Sequence, residues 1–414
     1  MTRAIALVVS VLAVLPAAAA EPEFRMDGPD AAAYGMQAGY PIGTRQTQGQ
    51  QRHLVATLSQ YDQLFSSRVV AKPASAWSFK RDGTQPSVSY SYQGVRYDLD
   101  QYLDRNPVTG LLIARDDVIL FERYQYARTD AHRFTSQSMA KTVTAMLVGI
   151  AVGEGRIRSI DDKAEVYVPA LAGSAYGQTP IRALLNMSSG VAFTERYDGK
   201  DDTAALNRGV FVPGAAESTA KVLAQFNNRT KPPGTSFHYA GSETLTLGLV
   251  LSGATGRTVA EYLSEKIWQP IGAEADATWV TDVFGQEVTY CCFNARLRDY
   301  ARFGRLLANG GNWSGRQVIP RQWVTDATTV RPEDAHLRPG VVGGPFGYGY
   351  QVWLLGGEPA GTYSLRGIRG QILFVDPESK LIMVQTSART QPVDPGMAEN
   401  TILWRALVEQ ARRR

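Results

Sequence analysis

The sequence predicts an α+β fold whose sheet is assembled from the two ends of the chain, with a helical region between them. Three observations carry this. Strand-like runs cluster near residues 106–130 and again near 345–390. Between them, segment 156–311 repeats apolar residues at three- and four-residue steps, the helical period. The length, 414 residues, is ample for a large core as one domain or two closely packed ones.

The chain opens "MTRAIALVVSVLAVLPAAAAEPEFR". Arg3 gives a positive n-region, Ala4 to Leu15 an apolar h-region, and Ala18-Ala19-Ala20 a small-residue cleavage site. The run is too short to span a bilayer, which takes about 20 apolar residues. Residues 1–20 are therefore expected to be a signal peptide cleaved after Ala20. The mature chain would be periplasmic or secreted, with no stable membrane insertion. Residues 21–105 are turn-rich and aromatic, without a strong helical period, and are expected to wrap the body as an N-terminal extension.

The body, 106–414, begins with two strands, "TGLLIARD" and "VILFERYQYA", joined by the polar turn Asp116-Asp117. An apolar run from Ser138 to Gly153 follows. "TLTLGLVLSGA", "VAEYLSEKIWQPI" and "LRDYARFGRLLANG" read as helices. "YGYQVWLL", "QILFVDP" and "KLIMVQTS" read as strands, and "PGMAENTILWRALVEQARRR" closes the chain as an amphipathic helix. The strands of the two ends are expected to share one sheet.

Composition excludes some functions. Lys plus Arg number 43 against 39 Asp plus Glu, with no basic run, so nothing favours nucleic acid. The four histidines are scattered without ligand spacing, so neither a metal nor another cofactor is expected. The two cysteines, Cys291 and Cys292, are adjacent. An oxidising compartment permits a disulfide, but they are expected to be two small packed side chains with no part in the chemistry.

Within the apolar run Ser138–Gly153, Lys141 is the single ionisable side chain. Ser138-Met139-Ala140-Lys141 has the form S-x-x-K, which puts serine and lysine on one helical face. Burial lowers a lysine pKa, and a neutral amine can take the serine proton. A serine at a helix N-terminus also meets free N–H groups and a positive dipole end. The pattern alone is weak, since it recurs at Ser218-Thr219-Ala220-Lys221. There the neighbours are polar, and Lys221 is expected on a solvated helix. Tyr239, in the Pro/Gly-marked loop "KPPGTSFHYAG", is a candidate proton carrier to the leaving atom.

"SMAK", "IRALLNMSSGV", "PGTSFHYAGSETLTLGLVL", "NARLRDYARFGRLLANGG" and "RGIRGQILFVDP", in that order, resemble the serine β-lactamase-like hydrolase superfamily, above all its 6-aminohexanoate-dimer hydrolase branch. The resemblance runs from about residue 110 to the C-terminus. It implies a three-layer α-β-α sandwich with an antiparallel sheet plus a mainly helical domain, and a site at their junction. It also implies Ser138 as nucleophile, Lys141 as base and Tyr239 as the tyrosine of a Y-x-N or Y-x-S element. The third position of that element is Gly241, with Ser242 next to it as a candidate substitute. The K-T-G or H-x-G element corresponds to Leu365-Arg366-Gly367, which makes the N–H groups of Ser138 and Ile368 the oxyanion hole. An alternative register centres on Gly370 with Gln371 as donor. Arg366 is expected to face away from the position of the family's cationic group at Leu365, while Arg369 is a candidate to reach the pocket.

The expected activity is hydrolysis of a small ester or amide through an acyl-enzyme, esters ahead of β-lactams, with Ser242, Arg369 and Gln371 as candidate substrate contacts. A β-lactamase or D-alanyl-D-alanine carboxypeptidase is the alternative. A non-catalytic binding or sensor protein on the same fold is a third, disfavoured by the intact serine, lysine and tyrosine. The implied partner is a small-molecule substrate, and the sequence leaves the oligomeric state open.

Overall fold

In the computed structural model, residues 21–413 are described, except 82–85 and 394–396. Residues 1–20, expected to be a signal peptide, lie outside the described residues.

The main sheet joins both ends of the chain. Its strand order is Glu23–Phe24, Val118–Tyr124, Val108–Arg115, Leu381–Ser387, Gln371–Asp376, Tyr363–Gly367, Trp353–Leu355 and Phe346–Tyr348, with Lys80–Arg81 also pairing on Val118–Tyr124. The strands predicted from the sequence are antiparallel to one another. Two short strands of the N-terminal extension add parallel pairings, so the sheet is mixed.

Successive side chains on a strand face opposite ways, and the sheet uses both faces. Leu111, Ile113, Ile372, Phe374 and Met383 pack with Tyr102 and Trp404, from helices Leu99–Arg105 and Met397–Arg412. Leu112, Ala114, Leu373, Val375 and Ile382 pack on the other side with Leu297, Leu306 and Leu307 of helix Leu297–Ala308. The result is the three-layer α-β-α arrangement.

The region between carries the buried helices Ala140–Gly153 and Gly241–Thr255, which pack together. It also holds a four-stranded sheet absent from the sequence reading: Ser67–Val70, Ala277–Val280, Phe293–Ala295 and Phe134–Thr135. One of its strands comes from the N-terminal extension, which further contains helix Gln51–Ser59.

Candidate active site

Ser138 sits in a 3-10 turn, Gln137–Met139, that runs into helix Ala140–Gly153. Gln137 just before it has φ +44°, a conformation that costs a non-glycine residue energy and is held by its surroundings. Those surroundings include Ser136, bonded through its N–H to the carbonyl of Phe293 (2.7 Å).

Lys141 is 2 % exposed. Its Nζ donates to Ser138 Oγ at 2.9 Å and to the Tyr290 carbonyl at 2.8 Å. Burial pushes its pKa down to about 8, against the opposing pull of the Glu195 carboxylate. An amine in that range is substantially neutral near pH 8 and can accept a proton from the hydroxyl it touches.

Tyr239 stands beside Ser138 on the wall of one cavity, and Lys141 Nζ lies 5.0 Å from the centre of its ring. Its ring stacks on Trp353, with centroids 5.6 Å apart. Burial, then the Glu195 charge, raises the phenol's pKa, while the Ser138 side chain lowers it. Tyr239 therefore remains a protonated donor that can pass its proton only as another arrives.

Ser138 opens onto two cavities. The larger, about 750 Å³, is bounded by Lys141, Tyr290, Cys291, Cys292 and Arg369, and by Tyr61 and Phe65 of the N-terminal extension. The smaller, about 330 Å³, is walled by Tyr239, Phe346, Trp353, Arg366 and Glu195. Ile368 borders both, beside the serine. The strand Tyr363–Gly367 reaches this point because Gly367 has no side chain. A Cβ there would stand 2.5 Å from the Ser136 carbonyl.

Several expected contacts fall elsewhere. Ser242 is fully buried, bonded to the Tyr176 hydroxyl at 2.5 Å, and lines neither cavity. It lies in the first turn of helix Gly241–Thr255, whose winding turns it into the core. Gln371 is also fully buried, clasping Ser387 through both amide atoms as the strand Gln371–Asp376 starts. Neither touches the cavities, so the register on Gly367 and Ile368 is the one that faces Ser138. Arg369 does line the larger cavity, though its guanidinium donates to the carbonyls of Arg389 and Thr390.

Arg366 and Leu365 do face opposite ways, but with the reverse consequence for the cavity. Leu365 is core, and Arg366 lines the smaller cavity. Arg366 donates to Ser364 and Thr401 and lies over Phe346, with no carboxylate partner among the described residues.

Glu195 was not legible beforehand. Its carboxylate accepts from the Tyr197 hydroxyl and from the Gly241 N–H, the latter at 2.6 Å. A Cβ at Gly241 would lie 3.3 Å from that carboxylate oxygen. The carboxylate thus fills the space beside the position where the tyrosine element lacks a side chain. Nothing in its loop, "VAFTERYDG", signals this by spacing.

Cys291 and Cys292 are joined in a disulfide, not packed as separate thiols. They lie in the turn leading into Phe293–Ala295, where Cys292 takes a positive φ of 69°, and that turn brings the two side chains together. Cys292 is buried as expected, beside Phe65 and Val280.

The family model described as beta-lactamase matches residues 98–407, most of the chain. The chain belongs to the beta-lactamase family. A 6-aminohexanoate-dimer hydrolase of Paenarthrobacter ureafaciens is 27 % identical over 299 residues, covering 71 % of this chain and 76 % of that protein. A D-aminopeptidase of Brucella anthropi is 29 % identical over 146 residues, 35 % of this chain and 26 % of its own length. Among solved structures, a Bacillus anthracis protein assigned as a 6-aminohexanoate-dimer hydrolase superposes with TM-score 0.79 at 24 % identity, covering 88 % of this chain and 95 % of that one. A family VIII carboxylesterase gives TM-score 0.55 at 20 % identity, over 75 % and 93 %. The structural likenesses establish the fold, and the family with its amide-hydrolysing relatives makes this beta-lactamase family member a hydrolase.

Proposed function

We propose that the mature chain is a secreted hydrolase that cleaves a small linear ester or amide through an acyl-enzyme on Ser138. The observation that carries this reading is the 2.9 Å contact between Ser138 Oγ and a Lys141 amine buried to 2 % exposure. Lys141 takes the serine proton as Oγ attacks the carbonyl carbon. The N–H groups of Ser138 and Ile368 receive the developing oxyanion. Tyr239, beside Ser138 and Lys141, protonates the leaving oxygen or nitrogen and is reprotonated through Lys141. Water then enters, gives its proton back along the same path, and releases the acid.

Two cavities meeting at the serine suit a substrate with one group on each side of the scissile bond. The relatives support amides: one is named for hydrolysing 6-aminohexanoate dimer and another as a D-aminopeptidase.

A second reading, a β-lactamase or D-alanyl carboxypeptidase, gains support from Arg366. A cation on the cavity wall with no carboxylate partner among the described residues is suited to a substrate carboxylate. A panel on the purified mature protein separates the readings: p-nitrophenyl esters, a linear 6-aminohexanoate dimer, nitrocefin and a D-Ala-D-Ala peptide. Turnover of esters and linear amides, with fluorophosphonate attached to Ser138, is the expected result. Nitrocefin hydrolysis with a kcat/KM at or above that of the esters would transfer the protein to the second reading.

A further inference from the structure

Lys141 is held by two polar contacts, the Ser138 hydroxyl and the carbonyl of Tyr290. The next two residues after that carbonyl are the disulfide pair Cys291–Cys292, and both line the cavity that holds Ser138 and Lys141. The pair is therefore part of the site's wall, not a distant staple.

A disulfide between neighbours closes an eight-membered ring that contains their peptide bond. It restrains rotation about ψ of Cys291 and φ of Cys292, the latter at +69°, where a residue with a Cβ does not rest freely. The carbonyls of both cysteines are held by hydrogen bonds. The Cys291 carbonyl accepts from Trp279 Nε1 at 2.9 Å, and the Cys292 carbonyl accepts from the Val280 N–H and from Asn294 Nδ2, each at 3.1 Å. On the cavity side Phe65 packs against Cys292. The peptide unit that presents the Tyr290 carbonyl is held through its own Cys291 N–H, bonded to the Val288 carbonyl at 3.1 Å. The closed ring removes the two further rotations, ψ of Cys291 and φ of Cys292, by which that unit could swing relative to strand Phe293–Ala295. With the ring open, φ of Cys292 can relax to negative values and carry the Tyr290–Cys291 peptide unit, with its carbonyl, away from the amine.

We propose that the Cys291–Cys292 disulfide is a positioning element of the catalytic base, acting through the Tyr290 carbonyl to hold the Lys141 amine against Ser138. It rests on the reading of Ser138 and Lys141 given above. Opening the ring takes two electrons and two protons, supplied by a dithiol that becomes a disulfide or by a phosphine that becomes its oxide with water. Oxidised glutathione closes it again by thiol–disulfide exchange. The groups facing Lys141 are Ser138, the rings of Tyr239 and Tyr290, and the charge of Glu195 across the cavity. A base freed from its anchor becomes better solvated and more basic.

The test uses the full mature protein. Alkylation followed by mass analysis should find no free thiol before phosphine treatment and two after it. With a p-nitrophenyl ester, reduction should lower kcat by tenfold or more, leave KM within about twofold, and move the acid limb of kcat/KM to higher pH. Oxidised glutathione should restore both. A structural staple would lower thermal stability and leave the limb where it was. If reduction unfolds the chain, a Cys291→Ala variant opens the ring with one side-chain change, and its folded form should show the same displaced limb. Two alkylatable thiols before reduction, or a folded reduced enzyme with unchanged kcat and limb, would overturn the proposal. Failure of a fluorophosphonate to label Ser138 in the oxidised protein would instead sink the reading of the site itself, and this proposal with it.

Discussion

The pattern S-x-x-K occurs at 138–141 and at 218–221, and the two copies do different things. In the first, the lysine Nζ meets the serine Oγ, and the lysine is buried among aromatic rings. In the second, the Ser218 hydroxyl accepts from the backbone N–H of Lys221 at 3.2 Å and caps helix Thr219–Ala224, while the Lys221 side chain points to solvent. Spacing is the same, so spacing is not what buries an amine against a hydroxyl. In the first copy the apolar run carries the lysine into the interior and desolvates it. In the second, the residues flanking the short helix are polar, and the hydroxyl satisfies a free helix N–H as such residues commonly do.

Removing the hydroxyl at each copy should give the largest contrast. Ser138→Ala is expected to lower kcat/KM by roughly 10³- to 10⁶-fold, the range for losing a nucleophile. Ester hydrolysis by purified Ser138→Ala within tenfold of wild type would remove Ser138 from the mechanism.

Replacing the lysines sharpens the comparison through stability. The charged form of Lys141 is penalised in the folded state, whose pKa of about 8 lies below the usual 10.5. By linkage that penalty is fully present below pH 8 and fades as pH rises towards 10.5. It amounts to about 3 kcal/mol at neutral pH. Lys141→Met should therefore abolish turnover yet unfold at higher denaturant, by about 1–3 kcal/mol after the lost bond to Tyr290 is counted. Lys221→Met should change neither by much. Urea titration at pH 7 decides, and a destabilised Lys141→Met would mean the buried amine is not under strain.

The same lowered pKa predicts the pH profile. Activity needs the neutral amine, so kcat/KM should rise about tenfold per pH unit on the acid side and level off near pH 8. A profile flat from pH 6 to 9 would mean that Lys141 is not the titrating base.

What the sequence exposed and what it hid divide along the same line as the two S-x-x-K copies. The hairpin Val108–Tyr124, the strands Gln371–Ser387 and the closing helix repeat a period over seven or more residues or pair with a near neighbour, and such local signals can be read. Ser138, Lys141 and Tyr239, singled out by motif and context, stand together in the folded chain. The small sheet could not. Its strands are two to four residues long and come from positions as far apart as Ser67 and Ala295. Glu195 reaches the site through a loop, and only the folded chain shows it against Gly241. Ser242 and Gln371 looked right by adjacency to a motif, but a helix turn and a strand start send each of them into the core. One residue of displacement on a regular element is enough to change what a side chain faces.

The smallest effect should come from Ser218→Ala. The substitution removes the cap of a six-residue helix whose Ala220, Val222 and Leu223 are buried. A helix that short has little propagation to spare, so the loss of a cap is felt across it. The expected cost is about 1 kcal/mol, read from the urea midpoint. Ser218→Asp should recover most of it, because the carboxylate accepts the same N–H and favours the positive end of the helix. Turnover should stay within about twofold in both variants, since neither Ser218 nor Lys221 borders the cavities at Ser138. Were Ser218→Ala to keep full stability and lose activity, the hydroxyl would be acting on substrate instead of on its own helix, and the contrast between the two copies would collapse.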